Sequence, residues 1–219
     1  MKSLLKASFA VLLCAASALT ASAQSVVVYD NSTGDTGVQY TAPSGVTYGN
    51  QVVLSGTERT ISEFIFQYWG TGLNAGATAE VKFYANNGTT DAAGYNPKPS
   101  TVLFDSGTFH ISNGTNIVTF NQASLNGGVV VPDSFTWSVT FNYSVGKAGL
   151  SVFNGHSVGN NLNGIWYLNS GSGWELRLGD GSGTSFAAQM SAVPEPTTFA
   201  LLGMGAFAFW KFYRRQVRR

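Results

Sequence analysis

Phe135-Thr136-Trp137-Ser138-Val139-Thr140-Phe141-Asn142-Tyr143 is the stretch that decides the fold class. Large apolar side chains occupy every odd position, and Thr, Ser, Thr and Asn lie between them. A strand sends successive side chains to opposite faces, so this pattern makes one apolar and one polar face. Ala79, Val81, Phe83 and Ala85 alternate in the same way with Glu80, Lys82 and Tyr84. Trp174, Leu176 and Leu178 alternate with Glu175 and Arg177. Further strand-like segments lie at 26–29, 51–54, 60–69, 102–104, 108–111, 117–120, 150–153, 165–168 and 185–190, giving about twelve short strands.

The 26 glycines mark turns between these segments. Asn87-Gly88, Asn113-Gly114 and Asn126-Gly127 are dipeptides that readily take positive φ, as tight hairpins require. No stretch of the middle region shows the periodicity of a helix, so the crossovers that parallel strands need are lacking. The expectation is an all-β, antiparallel β-sandwich of jelly-roll type over 24–192, with a closed barrel as the alternative.

The two ends read differently. Residues 1–6 carry Lys2 and Lys6, an Ala- and Leu-rich apolar stretch follows to Leu19, and Ala21-Ser22-Ala23 gives the small-x-small pattern of a signal peptidase site. Residues 1–23 are therefore expected to be a signal peptide, cut between Ala23 and Gln24. Cys14, the single cysteine, falls inside it, so the chain from Gln24 onward can form no disulfide and no thiolate metal site. At the other end, Pro194-Glu195-Pro196 precedes an apolar run, 199–210, and then Arg214, Arg215, Arg218 and Arg219. The run suits a short transmembrane helix of about 197–213, with the arginines held in the cytoplasm and the middle region outside. Between 24 and 193 five basic residues face ten acidic ones, a net of −5. That region has no clustered cations for nucleic acid, so a nucleic-acid partner is not expected.

The order Pro194-Glu195-Pro196, short apolar helix, Arg214-Arg215 resembles the PEP-CTERM sorting signal of exported bacterial proteins, also catalogued as an ice-binding C-terminal motif with no implication about ice. Leu201-Leu202-Gly203 is similar to the usual start of the signal's helix, whereas Phe207, Phe209, Trp210, Phe212 and Tyr213 stand where Leu, Ala and Gly are more typical. The resemblance covers 193–219. It implies that a membrane-embedded exosortase recognises the tail and cuts near the tripeptide, and that membrane lipid holds the tail meanwhile. It also implies an association with exopolysaccharide or biofilm matrix. Stretches 61–64, 102–107, 131–137 and 148–159 resemble an all-β ectodomain found ahead of such tails, which has no assigned activity.

Candidates for chemistry are sparse. His110 lies in a strand segment and should point to solvent, and His156 lies in a turn. Neither belongs to a metal-binding or nucleophile motif. Glu63, Glu80, Asp105, Asp133 and Glu175 could supply the paired carboxylates of a polysaccharide hydrolase only if two of them meet in space. The oxygen-rich loops 30–35 and 179–183 leave calcium as the one cofactor to consider, although plain turn chemistry accounts for them. Tyr68-Trp69 and Trp166-Tyr167 are adjacent on strands, so one ring of each pair should face away from the core. Trp69, Trp166 and Tyr167 are the rings a sugar-binding surface would use, with Tyr84 and Tyr143 in support. The combined reading is a non-enzymatic surface or matrix protein of structural or adhesive type. A carbohydrate-binding module for exopolysaccharide is the alternative, and a hydrolase of such polymers is less favoured.

Overall fold

The computed structural model describes residues 24–90, 96–162, 164–169, 173–178 and 185–194. Among them there is no helix, and fifteen strands form two antiparallel sheets. The first sheet holds β1 (Val26–Asp30), β2 (Asp35–Ala42), β4 (Thr60–Thr71), β7 (Gly114–Phe120), β8 (Val129–Val130), β10 (Lys147–Phe153), β14 (Ser185–Phe186) and β15 (Ala188–Val193). The second holds β3 (Thr47–Val53), β5 (Thr78–Ala85), β6 (Val102–His110), β9 (Ser134–Asn142), β11 (Asn160–Asn161), β12 (Gly164–Asn169) and β13 (Gly173–Leu178). Residues 25–193 form one compact unit. The chain crosses between the sheets at most of its turns, as a jelly-roll-like sandwich requires.

The alternation on β9 sets the core. Phe135, Trp137, Val139 and Phe141 are fully buried between the sheets. The Trp137 ring lies 5.2 Å from Phe64, 5.9 Å from Phe66 and 6.3 Å from Phe186, three rings of the opposite sheet. Phe64 also meets Phe83 edge-on at 5.1 Å. Rings packed at these tilted and edge-on geometries hold the sheets together beyond their buried area.

Pairing along β4 is split. Its 64–70 stretch pairs with β7 on one edge, while the other edge pairs first with β15 and then, from Tyr68 onward, with β10. The chain 185–193 wedges between β10 and β4 and changes partner at Ala187, whose N–H donates to Ser151 and whose carbonyl accepts from Gln67. At this fork Phe186 has no strand on its free edge. Its N–H donates to Asn50 Oδ1 of β3 at 2.6 Å, and its carbonyl accepts from Asn31 Nδ2 at 3.2 Å. Asn50 Nδ2 also donates to the Gly164 carbonyl at 3.0 Å, so one buried side chain ties both sheets. Both asparagines are fully buried.

A second apolar cluster lies on the outer face of the second sheet. That sheet runs β13-β12-β3-β9-β5-β6, which in a flat sheet would set β13 and β5 about 19 Å apart. Yet the rings of Trp174 on β13 and Tyr84 on β5 are 5.3 Å apart and nearly perpendicular. The β12–β13 hairpin therefore curls over the face on which Thr136 and Ser138 point outward. Gly49, opposite Ser138, makes this possible: a Cβ there would come within 2.7 Å of the Trp137 carbonyl and 2.9 Å of the Thr136 methyl. Trp166, opposite Gly49, is fully buried among Tyr84, Trp174, Leu168 and Leu176, and its indole N–H donates to Gln51.

The sequence reading needs several amendments. β2 is absent from the sequence reading, although Val38, Tyr40 and Ala42 alternate with Gln39 and Thr41; it is an edge strand paired with β10, and its Tyr40 ring packs on Tyr48 and Phe186. Segments 102–104 and 108–111 merge into the single strand β6, broken by an irregularity where Gly107 takes φ 62°. Thr136 and Ser138, expected on an open polar face, are buried. None of the Asn-Gly pairs closes a tight hairpin. Asn126 and Gly127 do take positive φ, but within the turn that separates β7 from β8, and Gly114 follows a crossing from β6 to the other sheet.

Replacing Asn50 with Leu leaves the Phe186 N–H and the Gly164 carbonyl without partners. We expect a loss of about 2–4 kcal/mol, one to two unpaired buried groups, read as a lower urea midpoint at unchanged m-value.

Candidate functional site

The place where the chain enters and leaves the sandwich is built by pairing its first and last strands. Val26 of β1 lies opposite Ala192 of β15, and Val193 lies opposite Thr60 of β4. β15 thus has a neighbour on each side up to its last residues. Gln24 is exposed just before β1, and Pro194 is half-buried just after β15. The first and last strands of the domain therefore begin and end side by side at one rim. The signal segment 1–23 with Ala21 and Ala23, the helix expected over about 197–213, and Glu195, Pro196, Arg214 and Arg215 lie outside the described residues.

The aromatic platform that a sugar-binding reading of the sequence would need is not assembled. Trp69 is 7% exposed, with small neighbours, Thr115 and Gly149, that leave room for an indole to settle on the sheet. Its Nε1 has no partner among the described residues. Trp166 is buried under the curled hairpin, so neither tryptophan is an exposed ring. Tyr167 is half-buried, 5.4 Å from the Tyr48 ring, with the Arg177 guanidinium 4.2 Å above its centroid. Alternation required one ring of each pair to face away from the main core, and the structure makes these Trp69 and Trp166. Facing away does not expose them, because the outer face is covered where each ring lies. Tyr84 is buried, and Tyr143 is half-buried with its hydroxyl donating to the Ala42 carbonyl at 2.7 Å. Burial pushes the Tyr29 hydroxyl up to about 12, its bond to Ser185 notwithstanding.

Of the five carboxylates, two come together. Lys82 Nζ lies 3.0 Å from Glu80 and 3.2 Å from Asp105, across β5 and β6 on the outer face of the second sheet. Asp105 also accepts the Gly107 N–H at 2.8 Å. Partial burial would raise the Asp105 carboxyl, but the Gly107 and Lys82 bonds outweigh it and hold the group below the usual range. An acid kept ionised is the reverse of what general-acid catalysis needs near neutral pH. Asp133 pairs with Arg59 at 2.6 Å. Glu63 is half-buried on β4 and Glu175 is exposed on β13.

His110 and His156 are both exposed. In the 30–35 loop the carboxylates serve the backbone. Asp30 Oδ1 accepts from the Ser32 N–H and hydroxyl at 2.8 and 2.6 Å, Asp30 Oδ2 accepts from Ser157 at 2.9 Å, and Asp35 accepts from the Gly37 N–H at 2.8 Å. Burial works against the charged form of Asp30, but these donors win and lower its pKa. The 179–183 loop lies outside the described residues.

What the sequence reading missed is the apolar character of the rim. The run Val129-Val130-Val131 carried a signal, because three valines in extended chain cannot all face inward. Val129 and Val131 are buried, and Val130 is 62% exposed.

Fold and rim together define a self-contained all-β domain that passes its last strand directly to a C-terminal tail. Residues 192–219 match the protein family described as the PEP-CTERM protein-sorting motif. The chain is thus an exported protein whose tail directs it to the cell surface through an exosortase-like system, a membrane enzyme. No curated protein and no solved structure matches it.

The lowered carboxyls of Asp30 and Asp105 make stability depend on acid. Their contribution is complete above the ordinary carboxylate value of about 4 and is lost as pH falls through their lower folded-state values. The urea midpoint should therefore hold from pH 7 to about 5 and then drop toward pH 2. Asp30→Asn should lower it at pH 7 and flatten the acid limb.

Proposed function

We propose that this protein is a non-catalytic component of the cell surface or extracellular matrix, structural or adhesive in type. It is held in the membrane by its tail until an exosortase-type enzyme acts near Pro194-Glu195-Pro196. The observation that carries this reading is the pairing of Val26 with Ala192 and of Val193 with Thr60. The sheet is already complete between Val26 and Val193, so either end can be cut without opening a strand pair. Such a domain is passive cargo: it needs nothing from its leader or tail to stay folded once made. The Lys82-bridged acids and the buried tryptophans agree with surface stability as their task. They also leave the exopolysaccharide-binding alternative without the exposed flat rings from which it was argued.

A chain ending at Val193 should be exported and melt where the intact domain melts, yet be shed to the medium instead of accumulating at the surface. Immunoblots of surface and medium fractions check this. Equal surface amounts with and without 194–219 would remove the tail from the account.

A further inference from the structure

Eight large hydrophobic side chains are exposed among the described residues: Val26, Val27, Val38, Val53, Val102, Ile117, Val130 and Val145. Five of them lie at the rim where the tail departs. Val26 and Val27 open β1 beside the end of β15, and Val130 pairs with Thr60, which also pairs with Val193. Val53 closes β3 opposite Ser134, where β9 begins, and Val102 opens β6 opposite Tyr84 near the end of β5. These five valines are 40–62% exposed. Between Val102 and Val130 a cleft of about 420 Å³ opens, lined also by Leu125, Val129, Asp105 and Asn126.

The rim's arginine is held within it, while the Asp133 carboxylate stays 83% exposed. Arg59 pairs with Asp133 at 2.6 Å and donates to the Gly56 and Glu58 carbonyls at 2.8 Å each. The chain length then fixes what the rim meets. Five residues, 194–198, separate β15 from the apolar run 199–210. Fully extended they reach at most about 17 Å. The headgroup layer takes up roughly 5–8 Å of that. A tail inserted in lipid therefore keeps the valine rim within about 10 Å of the headgroups, where interfacial binding scales with the apolar area buried.

We infer that this rim is a lipid-contact surface. Val26, Val27, Val53, Val102 and Val130 rest on the headgroup–acyl boundary while the tail is inserted, orienting the Pro194-Glu195-Pro196 segment at the membrane plane. This rests on the tail insertion proposed above. The occupant is a bilayer because the tether keeps the apolar rim within about 10 Å of one.

The test uses the chain from Gln24 to Arg219, which has no cysteine. Single variants Val53→Cys, Val130→Cys, Val145→Cys and Phe207→Cys are each given a thiol-reactive fluorophore. The labelled proteins are reconstituted into phosphatidylcholine vesicles brominated near the headgroup end of the acyl chains. We expect labels at 53, 130 and 207 to be quenched several-fold more than the label at 145. Quenching at 207 with 53 and 130 no more quenched than 145 would overturn the rim contact and leave tail insertion standing. Absence of quenching at 207 would overturn both. Labels at 53 and 130 that are already shielded without lipid would mean that a second copy or the tail itself covers the rim, and would overturn the proposal.

Discussion

The peptide group of Phe186 sits where a strand changes neighbours, leaving its N–H and carbonyl with no ladder partner on one side. A buried, unpaired peptide group is costly, and here two asparagine side chains, from β3 and from the end of β1, supply the missing bonds. These bonds offset the cost of the fork at Ala187. The fork in turn moves β15 from beside β10 to a place between β4 and β1. That placement closes the sandwich with its own last strand and puts Val193, and hence the tail, at the rim it shares with the N-terminus. Asn50 also bonds Gly164 at the base of the β12–β13 hairpin. One buried side chain thus fixes both the inter-sheet tie and the start of the element that curls over the outer face.

That curl explains why the aromatic residues do so little at the surface. Among the described residues there are two apolar clusters: a large one between the sheets and a small one of Tyr84, Trp166 and Trp174 outside the second sheet. The second depends on a floor of small side chains at Gly49, Thr136 and Ser138. Large residues at those positions would lift the hairpin, and Trp166 would then be the exposed ring that the strand pattern suggests.

The domain divides its surface according to how the chain is delivered. Its outer faces carry paired ions and hydroxyls, as the Glu80–Lys82–Asp105 group shows. Valine is concentrated at the single end from which the sorting tail leaves. A domain with no cysteine between Gln24 and Val193 must rely on its core and buried amide bonds for stability.

Much was legible in the residue pattern. Alternation on 79–85 and 135–143, with no helical period, determined the all-β class and most of the strands, because side-chain direction along a strand is a local property. The sorting motif was legible for a similar reason: prolines, an apolar run and arginines act through their order along the chain. Asn50 and Asn31 gave no such signal, since their roles come from backbone groups that sequence does not display. Trp69 and Trp166 show the boundary between the two. Sequence decided that the two rings of each adjacent pair take opposite faces of the sheet; only the tertiary structure decided which ring takes which face and whether that face meets water, because this depends on what a distant hairpin or a small neighbour allows to lie there.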